Sequence, residues 1–433
     1  MKNINKPKIL KGTRDFGPKQ MAKRQFVLGQ IRYMFETFGY DTIETPAIEY
    51  ADTILGKYGE EGNKLTYTFK DNGGRNVALR YDQTVPFARY VAMNYPDLPM
   101  PFKRYQISRV WRADKPAKGR YREFYQCDID IIGTTDLLAE AEIARVIVAV
   151  YTKLGIKNFK IKINNRRFMN SILNRLGIPE ELQTQVLRAI DKLDKIGREG
   201  VTKELKTIVD GDTMRNLFDV IFIRGTNQEK LVALSSDDTD EIQQFLELCT
   251  LYGVEEKFLE FDTCLARGLD YYTGMTYEVV IDGIDVGTVC GGGRYDNLCE
   301  QFCDKQFSGV GVAFGFDRTI IAMEELGLLN DISLNTKILV TRLDDVSMPY
   351  SLSITTMLQI KNINTEIYPE SVSLKKQLKY ANKKNIPFVL MCGLQEQNDQ
   401  TVIIKIMGSG KQKTIPRSQL VEYLNGALKR EIL

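Results

Sequence analysis

The sequence predicts an α/β protein in two parts, an α+β domain followed by a smaller α/β domain, and three observations carry that expectation. Two runs of period 2 flank a basic turn between Lys103 and Gly133, the pattern of a long hairpin. From about Asn165 to Phe258 the pattern changes to charged helical runs. From Lys337 to the end, strand and helix patterns alternate. At 433 residues the chain is long enough for two or three domains with large cores. The expected boundaries are 1–330, with a helical insertion at about 165–258, and then 336–433.

After the segment KGTRDFGP, Val27, Ile31, Met34, Phe35 and Phe38 form a helical stripe between about Lys19 and Phe38, closed by Gly39. DTIETPAIEY reads as a strand, and Pro46 marks it as an edge or a bulge, because proline cannot donate to a ladder. LTYTFKDNGGRNVALRYD reads as a hairpin turning at Asn72-Gly73-Gly74, with a helix from Val85 or Pro86 after it. Asp82 and Thr84 thus sit at a strand-to-helix junction, where capping is a sufficient role and suits Thr84 better than Asp82.

In the hairpin from Lys103 to Gly133, Arg104, Gln106, Ser108, Val110 and Arg112 share one face. On the returning strand Phe124, Gln126, Asp128, Asp130 and Ile132 share a face, and Tyr125, Cys127, Ile129 and Ile131 make the other one apolar. One face is core and the other a polar wall, the expected floor of a site. The connecting loop carries Lys115, Lys118, Arg120 and Arg122, with Pro116 and Gly119 as turn formers, a mobile cationic flap.

A helix over Asp136–Leu154 and the strand NFKIKI lead into the helical insertion, which has no glycine-rich or clustered motif. Three further stretches follow: TCLARGLDYYTGMTYEVVI, VGTVCGGGRYDNL and GVGVAFGFDRTIIAMEEL. Gly291 to Gly293 either mark a bulge or let the backbone lie against a small ligand. In the third stretch an apolar strand runs into a helix starting near Asp317, so Arg318 joins the positive end of that helix in a phosphate site. The second domain reads as KILVTR strand, Val346–Lys361 helix, NTEIYP strand, Ser371–Lys384 helix, strands IPFVLMCG and TVIIKIM, and a last helix from about Pro416. Lys375, Lys376, Lys379, Lys383 and Lys384 crowd one helix, with Lys405, Lys411, Lys413 and Arg417 nearby, either a solvated face or one that meets phosphates.

The net charge of +3 gives no field that announces a nucleic-acid binder, so any such contact must come from local patches. The 7 cysteines are scattered without zinc-ribbon spacing and read as free thiols. With 0 histidines the chain has no Ser-His-Asp triad, Cys-His dyad or imidazole metal site, and its chemistry must run on Arg, Asp, Glu, Gln and Tyr. MKNINKPKILKG lacks the apolar core of a signal peptide and no stretch approaches a membrane span, so a cytosolic protein is expected.

Arg112 closing a strand, the K-G-R-Y-R-E-F loop and the Q-x-D-x-D return together resemble the second signature motif of class II aminoacyl-tRNA synthetases, in the form used by histidyl-tRNA synthetases. R-G-L-D-Y-Y with G-G-G-R-Y-D is similar to motifs of that family, and G-V-G-V-A-F-G-F-D-R resembles the third class II motif. The resemblance covers essentially the whole chain. It implies an antiparallel sheet with flanking helices, a C-terminal anticodon-binding domain, and ATP-dependent activation of L-histidine followed by transfer to tRNA(His).

The resemblance also implies residue roles. Arg112 and Arg267 would flank the α-phosphate, Arg318 would hold the γ-phosphate, and Glu123 would join the ATP site. Asp82, Thr84 and Gln126 would bind the amino-acid backbone and Asp130, Tyr271 and Tyr272 the ring, with Arg267 also reaching histidine. Asp stands at 130 where some members carry Glu. Magnesium would accompany ATP with no dedicated protein metal site, and the segment around Pro46 would serve a homodimer. Two rivals are a non-catalytic paralogue, which generally loses R-G-L-D-Y-Y or the last domain, and a synthetase for another amino acid of the subclass.

Overall fold

The chain folds as two units, Met1–Asp15 with Val27–Leu328 and Phe16–Phe26 with Leu329–Leu433. The computed structural model describes residues 6–234, 239–266, 271–332 and 334–431. In the first unit the strands are β1 (Asp41–Thr42), β2 (Ile48–Tyr50), β3 (Thr68–Lys70), β4 (Asn76–Leu79), β5 (Phe102–Trp111), β6 (Glu123–Ile132), β7 (Phe159–Asn165), β8 (Leu259–Phe261), β9 (Met275–Ile281), β10 (Cys290–Tyr295) and β11 (Gly309–Gly315). An 8-stranded sheet runs β1-β5-β6-β11-β10-β9-β7-β8. Pairing is antiparallel from β5 through to β7 and parallel at the two ends, β1 with β5 and β7 with β8.

The long hairpin supplies the second and third strands of this sheet, between β1 and β11. On its apolar face Cys127, Ile129 and Ile131 are buried. On the same sheet, rings from helices Pro18–Thr37 and Leu138–Lys153 meet strand rings: Phe35 lies 5.7 Å from Tyr105 and 5.5 Å from Phe314, and Tyr151 lies 5.7 Å from Phe314. The opposite face buries Arg104, Gln106, Gln126, Asp128 and Asp130 as well. Burying so many polar groups opposes folding unless they are paired or used, so this face is where function must be sought.

Pro46 proves to be a break rather than a bulge. The single strand read from DTIETPAIEY is two, with β1 in the large sheet and β2 in a separate 3-stranded sheet of order β2-β4-β3. The helix after β4 spans Thr84–Asn94 and seats Val85, Phe87, Ala88 and Val91 in a core with Phe102 and Ile132. The insertion is helical as expected, from Arg166 to Leu251, with Asp210 capping the helix Gly211–Ile221 and a Thr226/Glu229 capping box starting Asn227–Ala233.

The second unit carries β12 (Ile338–Val340), β13 (Thr365–Ile367), β14 (Phe388–Met391), β15 (Thr401–Ile406) and β16 (Gln412–Pro416), in the order β13-β12-β14-β15-β16. The first three are parallel and the last two antiparallel. Ile338 and Val340 face Tyr350, Ile354, Leu358, Leu420 and Leu424, while Leu339 and Val389 face Ala381, so helices cover both sides as a parallel sheet requires. Pro416 ends β16 and precedes a 3-10 turn, Arg417–Gln419, that runs straight into the last helix, Leu420–Glu431, in agreement with a helical start at about Pro416, while the short helix Leu394–Asp399 is absent from the sequence reading. Among the described residues no helix is long and apolar enough to cross a membrane.

Candidate active site

A cavity of about 500 Å³ opens over β6, β9, β10 and β11, with Arg112 just past β5 in its wall. Asp82, Thr84, Arg112, Gln126, Asp130, Tyr271, Tyr272 and Arg318 all line it. These positions come from segments far apart in sequence, and the hairpin register brings them together: Ser108 pairs with Gln126 and Arg104 with Asp130 across β5 and β6, and Gly311 pairs with Asp130 from β11.

Part of the lining is acidic. Asp82 is buried, accepting from the Tyr58 hydroxyl at 2.8 Å and from the Val85 N–H at 3.1 Å. The capping contact at this junction is therefore made by Asp82, and the sequence preference for Thr84 as cap is corrected; the Thr84 side chain makes no capping bond. Burial raises the Asp82 carboxyl above its usual range against the pull of those two bonds and of Arg112. Asp130 accepts from the Tyr295 hydroxyl at 2.7 Å and pairs with Arg104 at 2.6 Å. Burial pushes its carboxyl up to about 6, opposed by Arg104 and Tyr295. The arginine paired with Asp130 is thus Arg104, while Arg122 gives its Nε to the Asp114 carbonyl at 3.1 Å.

Part of it is basic. Arg112 follows β5, donates from Nε to the Tyr81 carbonyl at 3.0 Å and lies 4.2 Å over the Tyr81 ring. Arg318 occupies the first turn of the helix Phe316–Glu325 and donates to Gly119 O at 3.1 Å and Thr288 O at 2.6 Å. The adjacent Asp317 is held by Arg14 at 2.7 Å and accepts from the Tyr125 N–H at 3.0 Å, which ties the helix start to β6. A ligand that carries both a cation and phosphates matches this mixture of charges.

Glu123 is not among the lining residues: it accepts from Trp111 Nε1 at 2.9 Å and pairs with Arg109 at 3.5 Å. Arg267 lies outside the described residues. Tyr58 and Tyr295 were missed as site residues. Tyr295 stands inside the G-G-G-R-Y-D motif, whereas nothing in the pattern around Tyr58 marks it.

The glycines of two motifs have separate reasons. A Cβ at Gly292 would lie 2.6 Å from Val312 Cα, so it is the neighbouring strand that excludes a side chain there. A Cβ at Gly311 would lie 2.5 Å from both Asp130 Cγ and the Ile129 carbonyl oxygen, and one at Gly309 would lie 2.7 Å from the Tyr295 ring. These two glycines make the room in which Tyr295 meets Asp130.

Residues 12–319 match the family model described as histidyl-tRNA synthetase, and residues 332–426 match that of the anticodon binding domain. A histidine–tRNA ligase of Cytophaga hutchinsonii is 43% identical, covering 97% of this chain and 100% of the relative, and one of Bacteroides fragilis is 40% identical, covering 97% and 99%. The crystal structure of histidyl-tRNA synthetase from Nostoc sp. PCC 7120 superposes with a TM-score of 0.85 at 29% identity, covering 98% of this chain and 99% of that one. A Bacillus halodurans structure described as an ATP phosphoribosyltransferase regulatory subunit/histidyl-tRNA synthetase reaches 0.72 at 21% identity over 89% and 99%, a likeness of fold alone.

Proposed function

Because the chain belongs to the histidyl-tRNA synthetase family, we propose that the cavity over β6, β9, β10 and β11 is where it activates histidine with ATP before passing the histidyl group to tRNA(His). The activity is that of a histidine–tRNA ligase: the histidine carboxylate attacks the α-phosphorus of ATP, pyrophosphate leaves, and the terminal ribose of the tRNA then displaces AMP. The observation that supports this site most directly is that Asp82, Thr84, Gln126, Asp130, Tyr271, Tyr272, Arg112 and Arg318, each picked from sequence, line one cavity.

The first step brings two anions together, so its barrier is electrostatic and fixed cations lower it. Arg112 takes one side of the α-phosphate and Arg267 the other, while Arg318 at the helix start takes the γ-phosphate. Guanidiniums suit this because they stay charged and grip oxygens in pairs. Asp82 with Thr84 and Gln126 receives the ammonium end of histidine, and Asp130 with Tyr272 and Tyr271 receives the ring. The chain has no histidine of its own to serve as a base in either step.

Magnesium, in this proposal, arrives with the nucleotide, whose phosphates supply most of its ligands. Among the described residues no three His, Cys, Asp or Glu side chains gather as a metal cage, and no step here is routed through the ion. Residues 1–330 are the catalytic domain and 336–433 the anticodon-binding domain in this scheme. A homodimer in the cytosol is the proposed working form. The exposed apolar side chains of Ile48, Tyr50 and Phe69 on the small sheet support a second copy as partner. The deciding experiment is ATP–pyrophosphate exchange with each of the twenty amino acids: exchange should depend on histidine alone, and exchange driven by another amino acid would overturn the proposal.

A further inference from the structure

One carboxylate under the cavity has no part in the roles above. Asp128 lies on β6 between Gln126 and Asp130, and the pleat puts all three on one face. It is 1% exposed, and neither of its oxygens has a hydrogen-bond partner. Arg104, one diagonal step away on β5, commits Nη2 to Asp130 and leaves Nε and Nη1 without partners. Two enclosed carboxylates therefore share one enclosed guanidinium. The charged groups that act on Asp128 are Arg104 and Arg112 from β5 and its end, Asp130 from its own strand and Asp82 from the segment before the helix Thr84–Asn94, and it acts in turn on Arg80 after β4. Its directly paired residues, Gln106 on β5 and Ala313 on β11, carry no charge.

An ionised carboxylate so enclosed and without a hydrogen bond is strongly disfavoured, so the proton stays on. Burial is the largest influence and pushes the Asp128 carboxyl well above the usual range; Arg104 and Arg112 oppose it, and Asp130 and Asp82 add to it. A ligand that brings positive charge to Asp82 offsets one of the influences that hold the proton on. With the site read as a histidine pocket, as proposed above, the incoming ammonium is that charge.

We propose that Asp128 is a proton-carrying positioning residue: it is neutral while the pocket is empty, and it releases its proton to solvent when histidine binds. The resulting carboxylate can then accept from the free Nε and Nη1 of Arg104, which holds Arg104, and through it Asp130, in place against the ring. One O–H bond is lost, one proton goes to water, and no other reagent is needed.

The test is the heat of histidine binding to the whole protein without ATP, in buffers of different ionisation enthalpy, which counts protons exchanged. At about pH 7.5 free histidine has a neutral ring, and Asp130 is already largely ionised. Wild type should release a measurable fraction of a proton per histidine bound, and its Kd should tighten, by no more than about tenfold per unit, as pH rises from about 7 to 8. Asp128→Asn, neutral and of the same shape, should release none and show a flat Kd over that range. Release from wild type near zero, or release unchanged in Asp128→Asn, would overturn the inference. The wild-type count decides even if the variant does not fold. If wild type binds histidine, Asp130→Asn weakens that binding and no proton is released, this inference alone fails; if wild type binds no histidine, the proposed pocket fails with it.

Discussion

The Arg104 guanidinium and the Asp130 carboxylate meet across directly paired positions of β5 and β6, 2.6 Å apart, with side chains 0% and 3% exposed. Neither can exchange its partner for water, so the pair works as one object. Its electrostatics are nevertheless incomplete, because burial outweighs Arg104 and leaves the Asp130 carboxyl at about 6 instead of 3.8.

That shift has a definite sign. A carboxyl whose pKa is raised by folding binds protons more tightly in the folded chain. Its ionisation is no burden below the unfolded value of 3.8 and a full burden above about 6. Asp130 should therefore lower stability progressively across that window, by on the order of 3 kcal/mol. Asp130→Asn leaves Arg104 unpaired, a roughly constant offset, but removes the titration. Urea unfolding of both proteins from about pH 4 to pH 7 should show the wild-type advantage shrinking with pH by that order. A difference that stays level across the window would mean that Asp130 is already ionised throughout.

Arg318 is held by two backbone carbonyls, Gly119 O and Thr288 O, from separate segments of the cavity wall. Arg318→Ala should lower the rate of adenylate formation by about 10², the scale for losing one electrostatic partner of a transition state. Histidine affinity measured without ATP should stay within about twofold, and Arg318→Lys should rescue little, because an ammonium lacks the planar fork. Should histidine affinity fall as far as the rate does, Arg318 would be a brace for the wall rather than a phosphate ligand.

What could be read from the sequence follows from the range of the forces involved. The β5–β6 hairpin was legible because both strands alternate strictly and one face is apolar. The Tyr58–Asp82 and Tyr295–Asp130 bonds were not, since they join residues 24 and 165 apart that no local period relates. Pro46 was readable as an interruption, yet only tertiary pairing tells a bulge from a change of sheet. Leu394–Asp399 escaped notice because it buries no residue and so has no apolar stripe. Pro416 was legible as a helix start because proline suits the entry to a first helical turn, and it suits the end of an edge strand such as β16 as well.

Lys375, Lys379 and Lys383 recur at intervals of four along the helix Leu374–Lys384 and are exposed, whereas Lys384 is engaged by Glu366. If the first three meet the tRNA backbone, their joint replacement by alanine in the full chain should weaken tRNA binding and flatten its dependence on salt. The slope of log K against log salt should fall by about 2 to 3, roughly 0.7 to 0.9 for each phosphate that one of the three lysines no longer neutralises. Histidine-dependent pyrophosphate exchange should be unchanged. Lys384→Ala serves as the contrast, expected to leave tRNA affinity alone. A solvated face with no RNA role would show the same salt slope before and after the triple replacement.

Gly311 tests the site most narrowly, because its missing side chain is what lets Asp130 lie where it does. A Cβ there would press on both Asp130 Cγ and the Ile129 carbonyl oxygen at 2.5 Å, and backbone cannot turn aside as a flexible side chain can. Gly311→Ala should therefore cost about 1 to 3 kcal/mol of stability, the scale of overpacking in a dense interior. Displacing Asp130 should also raise the histidine KM by tenfold or more while the ATP KM hardly moves. Gly309→Ala provides the comparison: its Cβ would meet the Tyr295 ring at 2.7 Å, one bond further from the ligand, so it should destabilise the fold with a smaller effect on the histidine KM. Equal effects of the two substitutions on the histidine KM would mean that the ring is recognised through the Tyr295–Asp130 bond as a unit. A Gly311→Ala protein with a normal histidine KM below its melting range would remove Asp130 from ring recognition.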